Sequence, residues 1–109
     1  MSITQEQMLE RYRSAVEALL PIAKTDTSGG RAAAQVLLST YNCHEFHLDP
    51  LDLVMLDPPL IKAAFEVLQL RIILGREPNT LVENGDEQFD QVWQRWEHLR
   101  NCNRYRKEG

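Results

Sequence analysis

Apolar side chains recur at three- and four-residue intervals through most of this chain, the spacing of helices with one buried face. The strongest such stretch is residues 57–75. Asp57 is a suitable N-cap, Pro58 suits the first helical position, and Gly75 with Pro78 ends the pattern. At 100° per residue, Lys62, Glu66 and Gln69 share one narrow polar stripe, and Lys62 and Glu66 form an i,i+4 pair. Leu60, Ile61, Ala63, Ala64, Phe65, Val67, Leu68, Leu70, Ile72 and Leu74 cover most of the remaining circumference. This predicts a central helix with neighbours on several sides. Arg71 interrupts it, between Leu60, Ala64 and Val67. The favoured expectation is a last-turn cation with its stem on apolar surface and its head in water. The sharper one is a guanidinium held by a carboxylate at a buried junction or a partner interface.

Residues 1–23 read as an amphipathic first helix. Thr4 and Gln7 have capping-box spacing, Met8, Tyr12, Ala15, Leu19 and Ile22 form the inner stripe, and Glu6, Glu10, Ser14 and Glu17 face away. Pro21 bends or closes the helix near its end. Residues 24–30 read as a turn, and residues 31–41 as a second helix. Its three alanines allow close approach, while Val36, Leu37, Leu38 and Tyr41 supply core contacts. In residues 43–56, Phe46 and Leu48 alternate with polar residues, as in a short extended piece. Asp49 and Pro50 there cap a short helix through Leu53, Val54 and Leu56. Residues 76–85 connect, with Leu81 and Val82 tucked inward. Asn84 and Glu87 open a last helix whose inner face is Phe89, Val92, Trp93, Trp96 and Leu99. The reading is all-α: about five helices in one domain over residues 1–100, packed around residues 57–75, followed by a basic tail, 101–109.

Composition adds little to the fold and more to the function. Hydrophobic residues make up 43% and charged residues 26% of the 109 positions, as in ordinary globular domains. No positively charged segment followed by an apolar one opens the sequence, and no apolar run approaches membrane-spanning length. The expectation is a cytoplasmic protein whose two cysteines are free thiols. Net charge is −4, which argues against a general nucleic-acid binder. The charge is uneven: residues 45–90 hold ten acids and three bases, and residues 91–109 hold two acids and five bases.

Candidate chemistry is sparse. Cys43, His47, His98 and Cys102 have the donor types for tetrahedral zinc. Neither half has C-x2-C spacing, and His98 and Cys102 point away from the Phe89–Trp96 face, so no metal is expected. The histidines of His44-Glu45-Phe46-His47 are three apart where the two-His metalloprotease helix needs four, so Glu45 is not expected as a general base. Gly29-Gly30-Arg31 at a helix start lacks the further glycine and the lysine of a phosphate loop, so an ordinary cap is expected there. No catalytic motif and no cofactor motif is recognisable. The acidic block comprises Asp49, Asp52, Asp57, Glu83, Asp86, Glu87 and Asp90; several of these suit helix starts, and an outward set would meet a basic partner. In the tail, Arg100, Arg104, Arg106 and Lys107 could touch phosphate while Tyr105 stacks on a base.

Asp26-Thr27-Ser28-Gly29 before the alanine-rich helix, Phe46-His47-Leu48, Leu56-Asp57, the 57–75 helix and the Trp96 helix together resemble an uncharacterised family of small bacterial proteins. The resemblance covers roughly residues 15–100. It implies a helical domain encoded on plasmids, prophages and integrative elements, and assigns no activity to any residue. The expected function is a non-enzymatic protein-binding module with a protein partner. It would be an accessory or counter-defence factor of the anti-CRISPR-like kind, acting through an acidic surface. Asp86, Glu87, Asp90 and Arg71 are the partner-binding candidates. The alternative is a nucleic-acid-binding accessory protein using Arg100, Arg104, Tyr105, Arg106 and Lys107.

Overall fold

The computed structural model describes residues 4–100. Among them the fold is all-α, with no strand: α1 Gln5–Ala23, α2 Ser28–Tyr41, α3 Pro58–Leu74 and α4 Gly85–Arg95. Three short 3-10 helices, Pro50–Met55, Pro78–Leu81 and Glu97–Leu99, join or follow them. No helix among the described residues is long and apolar enough to cross a membrane.

Local chemistry sets most of the boundaries. Thr4 and Gln7 form the expected reciprocal capping box. The helix continues through Pro21 to Ala23, one turn from its end. The second helix begins earlier than expected. The Thr27 hydroxyl accepts from the Gly30 N–H at 2.9 Å, which draws residues 28–30 into the first turn. Asp57 occupies the N-cap of α3 without a side-chain bond; the residues after it are two prolines, which remove N–H groups such a cap would bind. Gly75 is left-handed, φ 68°, and its N–H returns to Arg71, closing the helix as expected. At α4 the expected capping box is absent. Asn84 itself takes a left-handed conformation, φ 53°, with no side-chain cap. Gly85 follows because a Cβ there would collide with the Asn79 carbonyl. The last helix also stops sooner than expected: the chain turns at Trp96 into the Glu97–Leu99 3-10 helix.

The core is built around α2, not α3. All of Ala32, Ala33, Ala34, Gln35, Val36, Leu37 and Leu38 are buried. Three consecutive alanines let α1 and α3 approach on either side, while α4 closes the C-terminal half through Phe89 beside Tyr41. α1 runs antiparallel to α2. α3 runs parallel to it: Met55 lies against Gly29 near the two starts, and Arg71 is bonded to Thr40 near the two ends. The segment between them therefore returns along the whole of α2. Phe46 is buried on this return and meets Trp93 edge-to-face at 4.8 Å between ring centres. No strand forms there. Gln35 pins the rest of the return: its Nε2 donates to Asp52 and its Oε1 accepts from the Asp49 N–H, both at 2.8 Å.

α3 contributes Ala63, Ala64, Val67 and Leu70 to the core. Its other side is open. Phe65, expected inside, is 58% exposed, and Ile72 and Ile73 are also more than half exposed. The expectation of neighbours on several sides is corrected here: within this chain α3 is covered on one side, by α1 and α2. Glu66 does not pair with Lys62 as expected but reaches Arg11 of α1 at 3.2 Å.

Candidate functional site

Side chains expected to carry function are distributed over separate parts of the surface. Asp86, Glu87 and Asp90 are all exposed in the first turns of α4. Asp86 accepts from the Asn79 amide at 2.6 Å and Asp90 from Gln94 at 2.7 Å. None of the three has a salt bridge to a basic side chain among the described residues. Of the rest of the acidic block, Glu83 is exposed and the other three lie on or beside helix starts. Asp52 is held by Gln35 and lies 4.0 Å from Arg31; Asp49 and Asp57 stand at helix starts.

Arg71 is separate from that acidic face and matches neither expectation in full. It is half-buried, and its Nε donates to the Thr40 carbonyl at 2.8 Å. The guanidinium thus satisfies a carbonyl in the last turn of the parallel neighbour α2, where such groups lack helical partners. No carboxylate holds it among the described residues. Beside it lies a cleft of about 580 Å³, lined by Ser39, Cys43, His44, Leu48, Leu68 and Ile72. Lys24 and Arg95, with Gln91 and Gln94, line a second hollow of about 480 Å³.

The zinc donors among the described residues do not assemble. Cys43, His47 and His98 are exposed, and Cys102 lies outside the described residues. No group of three or more His, Cys, Asp or Glu side chains among the described residues could hold a metal ion. The His98 ring lies 5.6 Å from that of Trp96. Glu45 is engaged by Arg100, with Nε and Nη2 at 2.8 and 2.7 Å. Arg100 also stacks over Trp93 at 5.6 Å. One nucleic-acid candidate is therefore tied into the fold. The others, Arg104, Tyr105, Arg106 and Lys107, lie outside the described residues. At the Gly-Gly-Arg segment the ordinary cap is found: Thr27 already takes the Gly30 N–H.

Two features escaped the sequence reading. The first is Gln35, whose bonds to the return segment join residues 14 and 17 positions away. The second is an outward apolar surface. Leu51, Val54 and Met55 of the Pro50–Met55 3-10 helix stand more than half in water, Leu51 at 82% exposure, and Phe65, Ile72 and Ile73 do so on α3. The 3-10 helix inserts only Leu53 into the core. Its other apolar side chains are outside because two turns of a helix with three residues per turn present side chains in all directions.

The deepest titratable group belongs to the core. Tyr12 is fully buried and its hydroxyl donates to the Arg76 carbonyl at 2.8 Å. Burial pushes its pKa up to about 12, against the lowering pull of Arg71.

No curated protein and no solved structure matches the chain. Over residues 13–97, from the first helix through the buried Trp96, it matches the family of unknown function DUF7673, and the chain belongs to that family.

Proposed function

We propose that this chain is a non-enzymatic protein-interaction domain of the cytoplasm. The carrying observation is the outward apolar surface on the Pro50–Met55 3-10 helix and α3. Isolated exposed apolar residues are common on any protein, but six large ones on two elements packed against each other are the makings of a contact surface. The α4 carboxylates Asp86, Glu87 and Asp90 add a negative field that speeds the approach of a basic partner and orients it. Arg71 lines the adjoining cleft. The resemblance to proteins of plasmids, prophages and integrative elements extends the reading: the partner is a host protein, and the chain an accessory or counter-defence factor of the anti-CRISPR-like kind.

The test is capture from a bacterial host lysate at two salt concentrations, with three variants beside the wild type. Val54→Glu and the combined reversal Asp86→Lys, Glu87→Lys, Asp90→Lys are each expected to weaken capture about tenfold, a loss of roughly 1.4 kcal/mol. The reversal should also reduce the salt dependence. Deleting residues 101–109 should leave capture unchanged. If the deletion abolishes binding and the other two variants are neutral, the reading fails and nucleic-acid binding through the basic tail replaces it.

A further inference from the structure

The cleft between the last turns of α2 and α3 contains hydrogen-bond donors that the fold leaves unused. Arg71 lines it, half-buried, and the Nε donation to the Thr40 carbonyl is its one hydrogen bond among the described residues. Its Nη1 and Nη2 groups therefore have no acceptor there, and no carboxylate pairs with them. Asn42 lines the same cleft. Its Oδ1 accepts from the His44 N–H at 3.2 Å, which fixes the amide and leaves Nδ2 as a second donor without an acceptor among the described residues. Leu48, Leu68 and Ile72 give the cleft apolar walls. Its volume, about 580 Å³, lies within the range of about 300–1,000 Å³ usual for small-molecule sites, which combine apolar walls with a few unpaired polar groups.

We propose that this cleft is a binding site for a small monocarboxylate with an apolar body. Nε is committed to Thr40, so the fork left for a ligand is Nη1 with Nη2, whose spacing matches the two oxygens of a carboxylate. Asn42 Nδ2 adds a neutral donor. The hydrocarbon body lies along Leu48, Leu68 and Ile72 and takes their surface out of water.

The local charges select a single negative charge. No lysine and no second arginine lines the cleft among the described residues. The ends of α2 and α3 that meet there are C-terminal ends, whose partial negative charge opposes a phosphate dianion. One guanidinium against two such ends leaves room for one carboxylate. The proposal goes beyond the protein-interaction reading above and uses neither Val54 nor the α4 carboxylates.

An NMR titration of the full chain with octanoate tests this. Amide signals of residues 39–43 and 68–72 should shift with a common dissociation constant of about 1 mM or below, as suits a ligand of about ten non-hydrogen atoms. Arg71→Gln should weaken octanoate at least about tenfold. Ile72→Glu gives the same reading should Arg71→Gln disturb the fold. Its side chain is 81% exposed, so the helical circular dichroism should be unchanged while the added carboxylate repels the ligand by about tenfold or more. 1-Octanol, which lacks the carboxylate, and inorganic phosphate, which lacks the apolar body, should each bind at least about tenfold more weakly than octanoate. Absence of octanoate binding, equal binding of 1-octanol or phosphate, or full affinity in a folded Arg71→Gln or Ile72→Glu variant overturns the proposal. Any of these results leaves capture through Val54 and the α4 carboxylates standing, so the two readings fail separately.

Discussion

Tyr12 shows how a single residue can be half legible. Its place in the four-three apolar stripe marks it as buried, and it is. Its hydroxyl partner is a backbone carbonyl 64 residues away, which no local pattern encodes. The same holds for Gln35, a polar residue in an otherwise apolar helix face, and for Arg71, whose acceptor is the Thr40 carbonyl. Side-chain-to-backbone bonds between distant segments leave no periodic trace, because every residue offers the same carbonyl. Tyr12→Phe should cost about 1 kcal/mol, the worth of one such bond. The pH behaviour has a definite sign. The folded pKa, about 12, lies above the unfolded value of 10.0. The unfolded chain therefore loses the phenolic proton first, and the stability due to the neutral group is complete below pH 10 and lost as pH rises toward 12. Urea unfolding between those limits should show a decline of about 2 kcal/mol in the wild type. That decline should largely disappear in Tyr12→Phe.

Among the elements, helix positions are readable and helix roles are less so. Capping chemistry at Thr4, a left-handed glycine at position 75 and an apolar stripe each act within one or two turns, so the boundaries follow from short words in the sequence. Which helix sits in the middle depends on packing. The alanines of α2 admit close neighbours and make it the hub, although α3 is the more continuously apolar. Apolar coverage around a helix does not say how many of its sides the rest of the chain covers. The contrast can be measured by thermal or denaturant unfolding. Phe65→Ala should cost less than about 1 kcal/mol, because its ring is already largely in water. Trp96→Ala should cost about 3–5 kcal/mol, since it removes a buried indole and leaves the Ala23 carbonyl without its 2.7 Å donor. Equal losses at the two positions would contradict the placement of α3's outer face.

For the whole molecule, the acidic middle foreseen from charge counts divides in two. Asp52 and Glu66 cross-link elements, and the α4 carboxylates face outward. The candidate surface was legible only as charge; its apolar part was hidden because Leu51, Val54 and Phe65 look identical to core residues in a sequence. The hub position of α2 has a further consequence, for the order in which the molecule opens. α1, α3, α4 and the return segment all rest on it, so no backbone amide near its centre can meet solvent until the others have let go. Amide protons of Ala33–Leu37 should therefore exchange only through global unfolding, with a free energy equal to that from denaturant titration. Those in the last turn of α3, beside Ile72 and Ile73, should exchange through local fraying several kcal/mol cheaper. Deuterium uptake read by NMR would then divide the domain into a slow shaft and a fast rim, and the fast rim coincides with the face offered to other molecules.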